Sequence, residues 1–340
     1  MTKSLGGGYA DLKNVDCMEV PMKLRSVISI LLIACLVMFA AACGGGGGGG
    51  SDDPAGGGGN GGGTETIPNY LCFTSSDYSS FKLKAEGVDS VPSLEWSKDG
   101  STWTALGSSP VALELGDKVY LRGDNAQFPY NEVEYVHFVI TGPIAASGNI
   151  MSLIDPTCAS VTIPDDCCFN FLFKDCTSLT SAPELPATTL SIGCYAGMFE
   201  GCTNLTVAPE LPATTLAESC YAYMFNGCTN LTVAPELPAE TLKAWCYEGM
   251  FMGCSNLTAA PELPAITLQN GCYSNMFYNC SNLSSIKVHF TDFSTYLSTS
   301  GWVWGVANKG TFICPSALPH VADEDFGSNK IPKEWDVNTF

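Results

Sequence analysis

Residues that carry acid–base chemistry and nucleic-acid contacts are scarce in this chain of 340 residues. Its 3 histidines, His137, His289 and His320, leave little material for catalysis near neutral pH. Only 14% of the residues are charged, with 15 lysines and arginines against 34 aspartates and glutamates. The formal net charge of −19 argues against a phosphate-binding surface, which needs clustered basic side chains.

Catalytic and metal-binding motifs are also missing from the sequence. It contains no Gly-x-Ser-x-Gly, no His-Glu-x-x-His and no phosphate-binding loop. Although it has 17 cysteines, no Cys-x-x-Cys pair occurs, which disfavours a zinc ribbon or finger. We therefore predict a protein that is not an enzyme and that has no cofactor and no metal site.

The first part of the chain, 1–43, has the order of a secretory signal. Residues 22–25 are basic, residues 27–39 are apolar, and Ala40-Ala41-Ala42-Cys43 ends the run with small residues. The apolar run is short for a membrane span. The ending resembles the lipobox of bacterial lipoproteins, in which the cysteine is lipidated, so Cys43 is the predicted lipid attachment site. Cys35 is a competing match, but cleavage before Cys35 would leave apolar residues 36–39 at the head of the mature chain.

Residues 44–66 form a glycine-rich segment that cannot build a core and is predicted to be a flexible tether. Twenty such residues reach roughly 25 Å by the random-coil rule. Ser51-Asp52-Asp53 is similar to the short signals that send some lipoproteins to the outside of the outer membrane, although solvation of the tether explains it equally well. We expect a lipid anchor in the bacterial outer membrane and exposure at the cell surface.

Residues 67–143 are predicted to form a small β-sandwich-like domain, because short β-rich runs alternate with turn residues. Lys98-Asp99-Gly100 between Trp96 and Trp103 is typical of a hairpin turn. Exposed tryptophans could bind sugar, whereas burial of both would make them core residues. The expected strands are 71–74, 81–84, 94–97, 118–122 and 136–140.

A repeating unit begins at Cys168 and starts again at Cys194, Cys220, Cys246 and Cys272, at a constant interval of 26. A fixed period of this length predicts stacked supersecondary units, in which each copy covers the apolar face of the next. Phenylalanines at the same position of each copy should form a column with a spacing of about 4.8 Å, the distance between paired strands. The column is Phe173, Phe199, Phe225, Phe251 and Phe277.

Within one copy, residues 205–208 are the expected strand and residues 194–201 are expected to form a helical turn or short helix. Ten cysteines recur at two positions of the unit. They are interpreted as small apolar core residues, with disulfides between neighbouring coils or a metal stack as alternatives. The period is expected to break in the tail from Lys287, and residues 291–340 are predicted to cap the stack.

The unit Met-Phe-x-Gly-Cys-Thr-Asn-Leu-Thr-x-Ala-Pro-Glu-Leu-Pro-Ala resembles the BspA-like leucine-rich repeat family of bacterial surface proteins. The resemblance covers about residues 164–290. It implies a leucine-rich-repeat solenoid over residues 144–290, surface exposure, and binding of host or neighbouring-cell macromolecules. The predicted fold class is therefore β-rich or α+β, with five coils, one for each copy of the unit, preceded by the small β domain.

Two sets of repeat residues are candidate interaction sites. Trp245, Met252 and Tyr278 are large side chains in slots that are polar elsewhere, so they are a candidate patch for a protein or glycan partner; unremarkable exposed side chains are the alternative. A constant column of carboxylates must face solvent, or share a cation or a basic partner. These acidic residues are Glu184, Glu210, Glu236 and Glu262.

The sequence supports three functions. The first is an adhesin-like, lipid-anchored surface protein that binds macromolecules through its repeats. The second is a surface glycan-capture protein whose site lies in the N-terminal β domain. The third is a non-catalytic structural coat component.

Overall fold

The structure is a computed structural model that describes residues 67–88, 91–125, 128, 134–318 and 331–340. All of these residues belong to one compact unit, Thr66–Phe340. The predicted signal at residues 1–43, the lipidation site Cys43 with its competitor Cys35, and the tether at residues 44–66 lie outside the described residues.

The described residues form twelve short strands and one 3₁₀ helix, Ile150–Leu153. The strands are β1 (Leu71–Ser75), β2 (Ser79–Glu86), β3 (Leu94–Ser97), β4 (Thr104–Ala105), β5 (Val111–Leu113), β6 (Lys118–Gly123), β7 (Tyr135–Thr141), β8 (Ile144–Ser147), β9 (Leu179–Ser181), β10 (Ser285–Lys287), β11 (Gly310–Cys314) and β12 (Trp335–Thr339). The five strands expected between residues 71 and 140 coincide with β1, β2, β3, β6 and β7.

The N-terminal strands form two sheets that pack through aromatic side chains. One sheet has the order β4-β3-β6-β1-β8-β9 and the other the order β5-β2-β7. Phe73 on β1 lies 5.0 Å from the ring centroid of Phe81 on β2 and 5.2 Å from that of Phe138 on β7. The predicted hairpin between β3 and β4 is present, with Trp96 opposite Thr104.

The first sheet continues from the N-terminal strands into the repeats. β8 pairs with β1 antiparallel on one side and with β9 of the first repeat parallel on the other. In addition, Phe138 on β7 lies 5.3 Å from Phe173, the first phenylalanine of the repeats. The N-terminal strands therefore cover the open end of the repeat stack, a role that terminal units of repeat proteins commonly take.

The repeats stack in register, so that equivalent residues of neighbouring coils lie side by side. Parallel β-bridges join Thr189 to Thr215, Thr215 to Thr241 and Thr241 to Thr267. The phenylalanines lie in one column with nearly parallel ring planes, which confirms the predicted column. Their ring centroids are 5.5 to 5.7 Å apart, wider than the expected spacing of about 4.8 Å. A second, equally buried column of Tyr195, Tyr221, Tyr247 and Tyr273 runs beside it with centroids 5.8 to 6.0 Å apart.

The expectation of a helical turn at residues 194–201 is wrong. These residues form consecutive tight turns, in which every second N–H donates to the next coil, for example Phe199 to the carbonyl of Met224 at 2.9 Å. Gly193, Gly197 and Gly201 all have positive φ. A left-handed residue at every fourth position breaks the α-helical ladder, which requires right-handed dihedrals throughout.

The expected strand at residues 205–208 is reduced in the inner coils to isolated bridges, which join Val207 to Val233 and Ala259 to Ser285. Full strands occur at equivalent positions in the first coil, as β9, and in the last two coils, as β10 and β11. Pro209, which lacks an N–H, limits the ladder in the inner coils.

The expectation that the period breaks at Lys287 is also wrong. Tyr273 donates to the carbonyl of Ser298 at 2.8 Å and Phe277 to that of Trp302 at 2.8 Å, the same offset as between earlier coils. Strands β10, β11 and β12 then pair in parallel. The stack therefore has a sixth coil, in which Trp302 fills the place of Met276 and is completely buried.

Two hydroxyl groups of the tyrosine column should destabilise the fold, and a single substitution tests this. The hydroxyls of Tyr195 and Tyr221 are buried and have no hydrogen-bond partner. Phe169 occupies the equivalent position in the first coil and stacks on Tyr195 at 5.9 Å. Because an unpaired buried hydroxyl costs about 1–3 kcal/mol, we expect Tyr221→Phe to raise the free energy of unfolding by about 1 kcal/mol, measured by urea denaturation. A loss of stability would show that the hydroxyl has a partner.

Candidate interaction surface of the repeats

Three residues per coil adopt the left-handed conformation, at every fourth position, and they form three columns along the turns. Where such a residue is not a glycine, its side chain usually packs against a glycine at the equivalent position of the next coil. The rings of Phe171, Tyr223 and Trp245 occupy the space in which a Cβ on the next coil's glycine would lie. The columns are 167, 193, 219, 245, 271 and 297; 171, 197, 223, 249, 275 and 301; and 175, 201, 227, 253, 279 and 305.

The three residues of the candidate patch are half-buried and do not share one slot of the coil. Trp245 has φ of 57° and its indole lies over Gly271 of the following coil. Met252 and Tyr278 occupy the same slot of neighbouring coils, and the N–H of Gly253 donates to the carbonyl of Tyr278 at 2.7 Å. Met252 and Tyr278 are thus neighbours, whereas Trp245 is held in a separate column.

A further aromatic side chain, absent from the sequence prediction, lies next to the Trp245 column. Tyr223 is half-buried over Gly249, and its hydroxyl donates to the carboxylate of Glu248 at 3.0 Å. A large residue followed by a glycine one repeat later is visible in the sequence. This pattern identifies the large side chains that pack over the glycine of the next coil.

All four carboxylates of the acidic column are exposed. The two at its ends have partners within the chain. The side-chain amide of Asn69 donates to Glu184 at 2.6 Å, and Glu262 contacts Lys287 at 2.8 Å and His289 at 2.5 Å. Hydrogen bonds from Lys287 and His289 lower the pKa of Glu262. At one end of the acidic column, basic side chains of the chain itself therefore bind the carboxylate of Glu262.

The repeat cysteines are buried and lie in two columns. All fourteen cysteines that the structure describes are free thiols, and the predicted alternative of disulfides between coils is not found among them. In the second column each thiol donates to the carbonyl of a phenylalanine, at 2.9 to 3.1 Å. Cys176 donates to Phe138 on β7, and the other four donate to the previous coil, as Cys228 does to Phe199. Burial raises the pKa of Cys176 and of Cys280 to about 12, so both stay protonated as donors.

The tryptophans of the N-terminal strands are half-buried. Trp96 packs against the core, while Trp103 lies edge-on to Tyr70 at 5.1 Å with the guanidinium of Arg122 at 3.9 Å from its ring centroid. An open groove of about 320 Å³ beside Tyr70 is lined by aromatic, polar, basic and small apolar residues. They are Ile67, Pro68, Asn69, Tyr70, Cys72, Thr74, Lys118, Tyr120, Ser147 and Gly148. This groove gives a small polar ligand an aromatic wall close to the tryptophans.

In the ranges that the structure describes, no group of three histidine, cysteine, aspartate or glutamate side chains is placed to hold a metal ion. A search of the same ranges for a helix long and apolar enough to span a bilayer finds none.

The stacked coils, with their buried leucine, phenylalanine and cysteine columns, define a repeat protein of the leucine-rich class. Residues 168–299 match the family model described as BspA type leucine rich repeat region, in six copies. The match has six copies instead of the five expected from the sequence. No curated protein and no solved structure matches the chain.

Proposed function

We propose that this chain is a lipid-anchored bacterial surface protein whose solenoid of repeats binds macromolecules of a host or a neighbouring cell, without catalysis. The observation that carries the proposal is the separation of fixed and variable positions in each coil. The columns of phenylalanine, tyrosine and cysteine are completely buried, whereas large side chains change from coil to coil in half-exposed slots. A constant core beneath a variable surface is how repeat proteins present extended binding faces.

The variable slots that hold Tyr223, Trp245, Met252 and Tyr278 fall within three consecutive coils. Aromatic and methionine side chains are enriched at protein interfaces, and rigid aromatic rings lose little entropy on binding. Since the rings of Tyr223 and Trp245 pack over glycines of the next coil, they are already ordered before any partner arrives. This pre-organisation supports a binding role.

The anchoring part of the proposal depends on residues 22–43 and is tested separately. Cells expressing the chain should incorporate radiolabelled fatty acid into it, and Cys43→Ser should abolish the label. Cys35→Ser is the matched control and should leave the label unchanged. Protease added to intact cells should cleave the chain if it is exposed at the surface, and protection from protease would contradict surface exposure.

We expect substitution of the patch to weaken adhesion. Cells that display Met252→Ser together with Tyr278→Ser should adhere to immobilised host matrix proteins or to partner cells at least tenfold less, because interface hot spots are worth about 2 kcal/mol or more each. The control is Tyr296→Ser, which removes a tyrosine that is 67% exposed outside these slots. Equal adhesion of the two variants would eliminate the patch.

The groove beside Tyr70 favours glycan capture as a second candidate function. Deleting the N-terminal strands is a poor test, because Phe138 covers the first phenylalanine of the repeats. Tyr120→Ala is the better variant, since its ring lines the groove and is only half-buried. Loss of binding to a glycan array with Tyr120→Ala, and its retention in the patch variant, would support glycan capture over the repeat surface.

A further inference from the structure

The outer edge of β12 offers backbone hydrogen-bonding groups at the end of a sheet. β12 pairs in parallel with β11 on one side, and four of its residues, Asp336 to Thr339, are exposed. In the three-stranded sheet of the described residues, β12 is an edge strand. Such edges are templates for pairing with another strand.

The hydrogen bonds that follow β12 establish which of its residues direct their backbone groups outward. Phe340 donates its N–H to the carbonyl of Cys314 at 3.1 Å, and its own carbonyl accepts from Ser316 at 3.0 Å. The N–H and C=O of one residue point to the same side of a strand, and the side alternates along it. Val337 and Thr339 therefore direct both groups away from β11.

The backbone groups of Trp335 also point away from β11, but only its carbonyl can bind another strand. Its N–H donates to the carbonyl of Pro332 at 3.0 Å. Within the part of the chain that the structure describes, the outer edge of β12 thus presents two N–H groups and three carbonyls.

We propose that β12 pairs antiparallel with β12 of a second copy of this chain, about a twofold axis at Val337. In that register Val337 lies opposite the second copy's Val337, and Thr339 lies opposite the second copy's Trp335. Four backbone hydrogen bonds form, two between the valines and two from Thr339 N–H groups to Trp335 carbonyls. A twofold arrangement of this kind closes as a dimer and does not propagate into a filament.

The side chains of Asp336 and Asn338 favour this register over its neighbours. With the axis at Val337, Asp336 lies opposite the second copy's Asn338, whose amide can donate to the carboxylate. Moving the axis to residue 336 would place two aspartates opposite each other, which is unfavourable. The axis at Val337 also pairs every residue of the strand, which no other register does.

The dimer interface is small, so association is expected to be weak and to depend on the concentration of the chain. Position 338 gives the sharpest test, because it is exposed and because an acidic and a basic substitution there should change the dissociation constant in opposite directions. In sedimentation velocity of the full chain in detergent at low salt, Asn338→Asp should raise the dimer dissociation constant about fivefold, since like charges then face each other twice. Asn338→Lys should lower the constant by a similar factor.

The control for charge is Asn282→Asp, an exposed asparagine of the repeats that adds the same charge far from β12 in sequence. It should leave the dissociation constant unchanged. A chain that is monomeric at every concentration would overturn the proposal, and so would a shift in the same direction for Asn338→Asp and Asn338→Lys.

A covalent test reports the twofold axis itself. Directly opposed residues of a hydrogen-bonded pair have Cα atoms about 5.5 Å apart, which is within the range of a disulfide. Under mild oxidation, Val337→Cys should cross-link to the second copy's residue 337, identified by mass spectrometry of the joined peptide. Val233→Cys, at a valine 53% exposed on the repeats, is the control. Equal cross-linking of the two variants would contradict the proposal.

Discussion

Replacing Gly271 with alanine is expected to lower the free energy of unfolding by about 3 kcal/mol, for two separate reasons. Gly271 has φ of 59°, a conformation that costs an L-residue with a Cβ roughly 1–2 kcal/mol. A Cβ there would also overlap the indole of Trp245, which would have to move off the turn. The loss would be measured as the shift of the urea denaturation midpoint at constant slope.

A glycine in another of the three left-handed columns supplies a control that separates the two causes. Gly227 also has a positive φ, of 73°, but the nearest atom to a Cβ there would be 3.7 Å away. Gly227→Ala should therefore lose only the backbone cost of about 1–2 kcal/mol. In a Trp245→Ala background the cost of Gly271→Ala should fall to the same value, because the clash is gone. Equal losses for Gly227→Ala and Gly271→Ala in the parent chain would refute the packing of Trp245 on Gly271.

Truncation of the phenylalanine column is the second large effect. Phe225 is completely buried, with the rings of Phe199 and Phe251 each 5.7 Å away on its two sides. Phe225→Ala should destabilise the chain by about 3–5 kcal/mol, the usual cost of a large cavity in a core. The cavity would open between two coils, so the loss should appear in the unfolding of the whole stack.

Val233→Ala is the matched surface control for that prediction. Val233 belongs to the coil of Phe225 but is 53% exposed, and its change should stay within about 0.5 kcal/mol. Phe225→Leu, which keeps most of the volume, should fall between the two. A cost below about 1 kcal/mol for Phe225→Ala would mean that the column is not a close-packed core.

The stacking of the coils was predictable because the same apolar residue recurs at the same position of each copy. Phe199, Phe225 and Phe251 recur at that interval, and rings in register are the simplest way for each copy to bury its neighbour. The tyrosine column recurs with the same regularity and could have been read in the same way.

The conformation of the turns was not predictable from apolar spacing. Apolar residues at 194, 198, 199 and 202 fit a helical face as well as they fit consecutive turns, since both bury the same side. The glycines at 193, 197 and 201 were the available signal, because glycine at every fourth position disfavours a helix and permits positive φ.

The ends of the stack were hidden for a different reason. In the sixth coil Ser298 and Trp302 keep the burial of Cys272 and Met276 but not their identity, so a search for repeated letters ends too early. At the other end Phe138 continues the phenylalanine column from an antiparallel strand, where no repeat exists in the sequence. Burial and register, which a single sequence does not contain, define both ends.

Deletion of part of the stack tests the register of the coils most directly. Removing residues 220–245, one whole unit, joins Ser219 to Cys246 and restores every column, so this variant should unfold in one cooperative transition with its near-ultraviolet circular dichroism retained. Removing only residues 220–232 shifts every later coil by half a period, and the cooperative transition should be lost. Retention of the transition in both variants, or its loss in both, would contradict a stack whose coils are held in register by the repeat.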